Sequence, residues 1–406
     1  MRCDGVKLKE QYLPCEWISN ISDKGDFLMY RLTSLCCAFL IVLISVFGVF
    51  SYSGGNEYVV SQGVNILPAK NIMYAVFFLI LLSTITSLQK KILPFFTYFI
   101  IYLSVTVLII LMRNNIDLYD FILIFSSFLY SIAVCFASGK YIFTAPLMRN
   151  IFIILLVSIF IKYSYMTFFS YTDRPELLIE NNIELQFLMV LFLTYNFHYG
   201  RDAVIFAVMA AVILLSGSLS AIITYTAICS ILLRGKVNKA VYYVFVLMLS
   251  IALMYVFFVK VSLWAGFENV DRYLFFLVFL DEFSNFNIAQ LLFGFLPITE
   301  LSSDSCGTLA GYQALFSNRN DGTCFSPVLH GFSLRFILDH GLLSLLILII
   351  LTLKSLKHSG YGTREALSVI SIILLSGLSV SSFSSVFFIV GFLIMLTTFR
   401  NDKSKD

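Results

Sequence analysis

The chain has 406 residues, of which 59% are hydrophobic and only 13% are charged, and its formal net charge is +3. A soluble protein of this length needs far more charged surface, so the composition excludes a soluble enzyme. Apolar runs of about 20 residues recur along the whole chain and predict an all-α polytopic membrane protein with one membrane domain.

A charged leader, predicted to be cytoplasmic, covers residues 1–31 and has no A-x-A cleavage pattern, which argues against a cleaved signal peptide. The predicted transmembrane domain covers residues 32–399, and a short cytoplasmic tail covers residues 400–406. Predicted helices lie at roughly 32–50, 71–88, 92–112, 119–138, 150–169, 185–199, 240–259 and about 331–353.

Two further apolar stretches, 203–233 and 366–398, are longer than the roughly 20 residues that one crossing needs. Each is interrupted near its middle by a similar segment, ILLSGSLS at 213–220 and ILLSGLSVS at 373–381, and we call these interruptions the first and the second break. The segment predicts a tight extracytoplasmic turn between two short helices, or the tip of a re-entrant hairpin. A single long, kinked span for each stretch is the alternative.

Clusters of Lys and Arg indicate which loops face the cytoplasm. They occur as QKK (89–91), RGKVNK (234–239), KSLKHSGYGTR (354–364) and RNDKSKD (400–406). Two of these clusters flank the stretch 366–398, so both of its ends are predicted to be cytoplasmic. The stretch must therefore cross the membrane outward and back. The resulting topology has about twelve passes, with both termini in the cytoplasm.

The predicted topology leaves one large external loop, residues 260–330. Asp271 is expected to begin a short helix whose apolar side lies on the bilayer surface. Cys306 and Cys324 are the only cysteines on this side, and in an oxidising compartment we expect them to form a disulfide just before His330. The alternative is two unpaired thiols in a loosely ordered loop.

The sequence has no P-loop, zinc-ligand spacing, GxSxG or DxD pattern, so we expect no metal, no cofactor and no nucleotide donor. Cations and one imidazole occur instead on the predicted outer side. They are Arg174, Lys260, Arg272, Arg319, Arg335 and His330. Arginine suits a diphosphate and histidine suits proton abstraction from a hydroxyl, so this set predicts a lipid-diphosphate site.

Simpler interpretations of these residues stand beside that one. An arginine at a helix end commonly extends to the lipid headgroups without a further role. Arg335 and Asp339 are four residues apart, so an intrahelical ion pair would explain both. His340 is expected to hydrogen-bond within the helix bundle.

The segment around His330 resembles the end of the large periplasmic loop in the O-antigen polymerase (Wzy) and O-antigen ligase superfamily. The matching positions are His330, Leu334, Asp339, Gly341, Leu342 and Leu343. Upstream, Arg272 and Gly294 bracket a stretch similar to that family's arginine-then-apolar-helix element. Two features depart from the pattern: the break at 213–220 has no arginine, and Gly331 stands where Asn is usual. The arginine-free break resembles polymerases more than ligases.

The resemblance implies a metal-independent, GT-C-like glycosyltransferase of the bacterial inner membrane that polymerises repeat units of O-antigen or of capsular or exopolysaccharide. Its donor and acceptor would be oligosaccharides on undecaprenyl diphosphate. His330 would act as base or orient the acceptor, and Arg272 would steady the departing diphosphate. Arg319, Arg335 and Lys162 are further candidates for the diphosphate, without motif support. Serines of the two breaks (Ser216, Ser218, Ser376 and Ser379) would permit close helix packing beside the lipid or simply form turns.

Partners implied by this interpretation are the lipid-linked oligosaccharides, the bilayer and, in the same membrane, a chain-length regulator; no nucleic acid is expected. An O-antigen ligase is the closest enzymatic rival, with a different acceptor. A lipid-linked oligosaccharide flippase or other transporter is the main rival from another class, since paired broken helices also occur in transporters. A non-catalytic membrane scaffold has no positive support in the sequence.

Overall fold

The computed structural model describes residues 24–50, 69–86, 88–113, 117–169, 175–234, 271–295, 300–317 and 322–399, together with the single positions 247, 250, 251 and 254. The helices of these ranges, numbered here in chain order, are α1 (Lys24–Phe50), α2 (Ala69–Thr84), α3 (Leu93–Arg113), α4 (Leu118–Ala137), α5 (Ala145–Phe169), α6 (Asn181–Tyr199), α7 (Ala203–Leu215), α8 (Leu219–Leu233), α9 (Asp271–Ser284), α10 (Ile288–Phe293), α11 (Ser303–Thr308), α12 (Phe332–His358), α13 (Thr363–Ser371) and α14 (Val386–Thr397). Short 3-10 segments at Ala310–Leu315, Ser326–Leu329 and Ser382–Ser384, a π-helical turn at Ile372–Ser376, and two paired strands, β1 (Phe143–Thr144) and β2 (Thr398–Phe399), complete them.

Five of the described helices are long and apolar enough to cross a membrane: Leu28–Phe50, Leu93–Met112, Leu118–Ala137, Ala145–Phe169 and Phe332–His358. Shorter apolar helices accompany them, namely α2, α7, α8 and α14. The architecture is therefore that of an all-α membrane protein, in agreement with the sequence. At its centre lies α14, which is buried along its entire length, packed against α6.

Both long apolar stretches fold back on themselves. In the first, the Tyr225 hydroxyl of α8 donates to the Phe206 carbonyl of α7 at 2.8 Å. In the second, the Tyr361 hydroxyl just before α13 donates to the Met395 carbonyl near the end of α14 at 2.8 Å, so the two ends of the stretch return to one side. Neither stretch is a single kinked helix.

The paired helices are short. With 12 to 15 residues each in α7, α8 and α14, they are about 20 Å long, against about 30 Å of hydrocarbon in a bilayer. Where the backbone leaves the helical hydrogen-bond pattern at membrane depth, its free N–H and C=O groups must be satisfied or shielded by other protein groups. Each break has such cover, the first from α6 and the second from Arg272 and the start of α12.

Several basic loops meet at one end of the helix bundle. The Gly139 amide donates to the Ser359 hydroxyl at 3.1 Å, and the Phe197 and Tyr361 rings lie 4.3 Å apart. The Lys354 ammonium lies 6.0 Å from the centre of the Phe95 ring. The clusters at 89–91 and 354–364 therefore share an end, which we call the basic end, and His330 lies at the opposite end of α12.

The described part of the external loop has a small apolar core of its own. Side chains of α9, of the Cys306–Cys324 region and of the start of α12 form it: Phe275, Val278, Phe279, Leu301, Leu309, Val328, Leu329, Leu334 and Leu338. Cys306 and Cys324 are joined by a disulfide, with their Cα atoms 6.0 Å apart. The loop is thus a packed unit attached to the helix bundle.

The described helices follow the predicted boundaries to within about five residues, and the largest departures occur in two places. The first helix begins at Lys24 and not at residue 32, because the helical backbone hydrogen bonds continue on the N-terminal side of the predicted apolar segment. The predicted span at 331–353 is broken at Gly341, whose φ of 74° and ψ of 175° are not helical. Most of the predicted span at 240–259, together with Arg174, Lys260 and Arg319, lies outside the described residues.

The break at Gly341 arises from a close approach of two backbones. A Cβ atom on Gly341 would lie 2.3 Å from the Leu292 carbonyl oxygen, and one on Gly294 would lie 2.4 Å from the Asp339 carbonyl carbon. Both glycines have positive φ, and the Phe295 amide donates to the Leu338 carbonyl at 2.7 Å. The two motif glycines therefore allow the backbones of α10 and α12 to lie in direct contact, an approach that a side chain at either position would prevent.

Candidate functional site

His330 lies at a strained turn. The 3-10 segment Ser326–Leu329, which begins with Pro327 at its second position, ends at His330 with a φ of 53° and a ψ of −32°. Among the described residues, His330 is the one non-glycine with positive φ. Such backbone conformations are disfavoured for residues with a Cβ atom and cluster at functional sites. The turn presents the imidazole outward, where its side chain is exposed.

The second break, residues 376–384, supports this turn. The Phe332 amide donates to the Val380 carbonyl at 3.1 Å, and the Ser333 hydroxyl donates to the Leu374 carbonyl at 3.2 Å. A Cβ atom on Gly331 would lie 2.9 Å from the Leu378 carbonyl oxygen. This contact explains the glycine after His330 in this chain.

Two arginines reach the same break. Arg272, in the first turn of α9, donates its Nε–H to the Ser379 carbonyl at 3.4 Å. Arg335, one helical turn after His330, donates from Nη2 to the Ser384 hydroxyl at 2.6 Å. Both cations act electrostatically on His330. The structure thus brings His330, Arg272 and Arg335 together around one stretch of backbone.

Arg335 is the more buried of the two, with 6% of its surface exposed. Its neighbour Asp339 lies within electrostatic range, but the hydrogen bond of the guanidinium goes to Ser384. Among the described residues, Asp339 Oδ2 has no hydrogen-bond partner. The pair therefore does not form the simple helix-surface ion pair that the four-residue spacing suggests. A buried guanidinium with donors to spare favours an additional acceptor.

Burial and four charged residues determine how His330 titrates; the charged residues are Glu180, Arg335, Arg272 and Asp271. The pKa of His330 lies below the usual histidine value, chiefly because the surrounding protein removes hydration from the charged ring. Glu180 opposes this shift by favouring the charged form, while Arg335 and Arg272 reinforce it. The imidazole is therefore neutral at neutral pH and able to accept a proton.

Glu180 is held in place by a neighbouring carboxylate. Buried Glu184 of α6 accepts the backbone N–H groups of Leu177 at 3.0 Å and Ile179 at 2.8 Å, and also that of Leu178. These bonds fix the segment that ends in Glu180, the residue before α6. Glu180 was not predicted as a site residue, because its only sequence signal was an acidic residue directly ahead of a predicted span.

A cavity of about 400 Å³ opens beside His330. Its lining comes from the start of α4, from inside and just after the disulfide-closed loop, from the His330 turn with the start of α12, and from the second break. These residues are Tyr119, Asp120, Leu123, Leu315, Phe316, Ser317, Phe325, Pro327, His330, Arg335 and Ser381. Buried Asp120 accepts a hydrogen bond from the Ser317 hydroxyl at 2.6 Å. Asp120 is a second residue that the sequence analysis missed, although it stands at the head of an apolar run.

Other predicted residues lie elsewhere. Lys162 is buried on α5, close to the Glu184 carboxylate and not on the cavity wall. His340 packs among aromatic rings, with Nε2 3.3 Å from the Ile124 carbonyl, in agreement with its predicted place inside the bundle. Arg319 lies outside the described residues. No group of three His, Cys, Asp or Glu side chains in the described ranges is arranged to hold a metal ion.

The second break is connected through hydroxyl groups to α8, the helix that follows the first break. Ser376 and Thr224 lie 2.9 Å apart through their side-chain oxygens. Gly377 packs so closely on the His330 side of α12 that a Cβ atom there would lie 2.6 Å from the Ser333 hydroxyl. The small residues of the second break thus permit close packing at the candidate site.

Comparisons with protein-family models and with the curated proteins give no match to this chain.

Proposed function

We propose that the protein is a membrane polysaccharide polymerase that joins oligosaccharide repeat units carried on undecaprenyl diphosphate. The observation that carries the proposal is the convergence of His330, Arg272 and the buried Arg335 at one end of a helical membrane bundle, beside a cavity of about 400 Å³. A neutral imidazole next to two guanidinium groups suits the transfer of a sugar from a lipid diphosphate to a hydroxyl.

In the proposed reaction, the acceptor hydroxyl oxygen attacks the anomeric carbon of the donor sugar. The new glycosidic bond forms as the bond from that carbon to the diphosphate oxygen breaks. His330 takes the hydroxyl proton on its unprotonated ring nitrogen, and undecaprenyl diphosphate leaves. Arg272 stabilises the charge that develops on the diphosphate. The leaving group is already a stable anion, so positioning and charge stabilisation supply most of the rate.

Of the three further cations considered for the diphosphate, the placement of Arg335 favours it over Lys162. Arg335 lines the cavity and retains hydrogen-bond donors, whereas Lys162 lies against Glu184. We therefore assign the diphosphate to Arg272, with Arg335 as the second cation that its oxygens approach.

The proposed orientation places the basic end in the cytoplasm and His330 on the periplasmic side of a bacterial inner membrane. Several Lys-bearing and Arg-bearing loops meet at the basic end, as the positive-inside rule requires of cytoplasmic loops. The proposed GT-C-like topology has about twelve passes, two pairs of them short, with both termini in the cytoplasm.

The proposal is tested in the native strain with the variants His330→Ala and Arg272→Ala. We expect the surface glycan on a gel to lose its ladder and to keep a single repeat on its anchor. A ligase would lose the single repeat as well, and a flippase would lose export altogether. His358→Ala and Arg364→Ala, both at the basic end, are matched controls that should keep the ladder. A normal ladder in both site variants would contradict the proposal.

A further inference from the structure

We propose that the cavity beside His330 binds the terminal sugar of the acceptor, and that Asp120 and Ser317 recognise its hydroxyl groups. The inference rests on the proposed function, since it assigns a place to one of the two substrates. It concerns the wall formed by Asp120 and Ser317, to which Arg272 does not contribute, and it adds residues that no family motif marks.

The chemistry of the lining fits a neutral sugar. Tyr119 and Phe316 offer aromatic faces, on which the C–H faces of a sugar ring can pack, and Asp120 and Ser317 offer polar atoms between them. Asp120 accepts from the Ser317 hydroxyl, and a carboxylate, which has lone pairs for about four hydrogen bonds, is a group suited to recognising sugar hydroxyls. Small-molecule sites commonly combine apolar walls with a few such fixed polar groups.

The charge of Asp120 distinguishes the two substrates. A diphosphate beside this buried carboxylate would meet like-charge repulsion in a weakly screened environment, whereas a sugar hydroxyl would donate to it. Arg272, the cation assigned to the leaving diphosphate, is not among the residues that line the cavity. Arg335 lines the same cavity and acts on His330, so the diphosphate is assigned to the Arg335 and Arg272 side and the sugar to the Asp120 wall.

His330 lies where the two parts meet. It lines the cavity and is within electrostatic range of Arg272. A base that removes a proton from the acceptor must touch the acceptor and lie near the bond that breaks. A hydroxyl held by Asp120 and Ser317 would satisfy the first condition, and the Arg272 side satisfies the second.

The disulfide stabilises two walls of this cavity. Phe316 and Ser317 precede Cys324 and Phe325 follows it, while the Ser317 amide donates to the Thr323 carbonyl at 2.9 Å. Ser317 then reaches across to Asp120 on α4. The wall is therefore fixed both to its own loop and to the membrane bundle, as a preorganised binding site requires.

The test uses the full-length protein in lipid nanodiscs and two probes measured separately by NMR. One probe is the free repeat-unit oligosaccharide, released by mild acid from the host strain's own lipid-linked precursor. The other is farnesyl diphosphate, a short lipid diphosphate. We expect Asp120→Asn to weaken oligosaccharide binding by about tenfold or more, the usual effect of losing a hydrogen bond to a charged group, and to leave farnesyl diphosphate binding unchanged.

Asp117→Asn is the matched control, because Asp117 caps the same helix and lies outside the cavity lining. It should bind both probes as the wild type does. Ser317→Ala, which keeps the carboxylate, should weaken the oligosaccharide alone and provides a second variant if Asp120→Asn does not fold. Unchanged oligosaccharide binding in both variants would overturn the acceptor site and leave the proposed function standing. Equal weakening of both probes would also overturn it. A wild-type protein that binds neither probe would count against the proposed function itself.

Discussion

The two breaks share almost the same sequence and differ in what they contact. The first break, at Ser216–Ser218, turns at Gly217, which has a φ of 58°. Its polar groups are covered by α6: the Asn181 side chain donates to the Ser216 carbonyl at 3.0 Å, and the Ser218 hydroxyl donates to the Asn182 side chain. It is therefore closed on a neighbouring helix.

The second break, at 376–384, directs its backbone carbonyls toward the candidate site. Ser379 accepts from Arg272, and Val380 accepts from the amide of Phe332. A repeated sequence segment can thus serve two purposes within one chain, since the same small residues expose carbonyls that either a helix or a functional site can use. The comparison predicts that changes at the second break affect activity and that changes at the first affect mainly stability.

The largest contrast is expected between Gly331→Ala and Gly217→Ala. Gly331 has an ordinary φ of −72°, so alanine there fits its own backbone but displaces the His330 turn from the second break, and we expect loss of the glycan ladder. Gly217→Ala, at a position with positive φ, should lower the free energy of unfolding by about 1–2 kcal/mol and leave the glycan ladder unchanged. Gel analysis and thermal unfolding of the purified variants measure both. Loss of the ladder in Gly217→Ala with unchanged stability would refute the division of roles.

A second contrast separates binding from folding at Arg335. Arg335→Met leaves the buried Asp339 without the nearby guanidinium charge, so we expect folding free energy to fall, by less than the roughly 3–5 kcal/mol typical of breaking a hydrogen-bonded buried pair. The double variant Arg335→Met/Asp339→Asn removes both charges, so we expect stability to recover while polymerisation stays low. Thermal unfolding and a polymerisation assay on the same preparations measure the two effects. Recovery of activity in the double variant would show that Arg335 has only a structural role.

A smaller effect is expected at the disulfide. Replacing Cys306 and Cys324 by serine opens a loop with a sequence separation of 18 residues. Chain-entropy arguments give about 3 kcal/mol for a loop of this order. The cavity walls should become more susceptible to added protease, with reduced polymer yield. Cys135→Ser, a buried cysteine on α4 away from the loop, is the control. Equal protease resistance with and without the disulfide would disprove this role.

The smallest expected effect is a shift of the pH profile. His330 can accept a proton only when it is neutral, so activity falls as the pH drops through its pKa, which lies below the usual histidine value. Glu180 raises that pKa, so Glu180→Gln should move the acid limb of the profile to lower pH. Glu300→Gln, at an exposed position, should leave it unchanged. A shift to higher pH in Glu180→Gln would contradict the assignment of His330 as base.

The fold class and the fold-back of both long stretches follow from the sequence, because apolar runs and clusters of Lys and Arg report directly on membrane solvation. The close contact between the Gly294 and Gly341 segments does not follow from the sequence. A glycine indicates that an unusual backbone conformation or a close approach is permitted there, but not which segment approaches. The predicted span at 331–353 is matched by α12, but its apolar pattern continues through Gly341 and gave no sign that the helix is broken there.

The candidate site was predictable in part. His330, Arg272 and Arg335 stand out as polar residues beside apolar runs, which membrane energetics make rare. Asp120 and Glu180 were missed because an acidic residue at the start of a helix is ordinary for capping, and nothing in a linear sequence brings it to the other three. Their relevance depends on long-range packing: Asp120 meets Ser317 across 197 positions of the chain.

Reconstituted polymerisation tests the central assignment most directly. The purified protein is placed in liposomes with repeat units on undecaprenyl diphosphate, and both glycan length and released undecaprenyl diphosphate are measured. We predict that the wild type produces a ladder with one lipid diphosphate released per bond formed, and that His330→Ala produces neither. Repeat units that remain single with the wild-type protein, or a ladder of normal length with His330→Ala, would contradict the account.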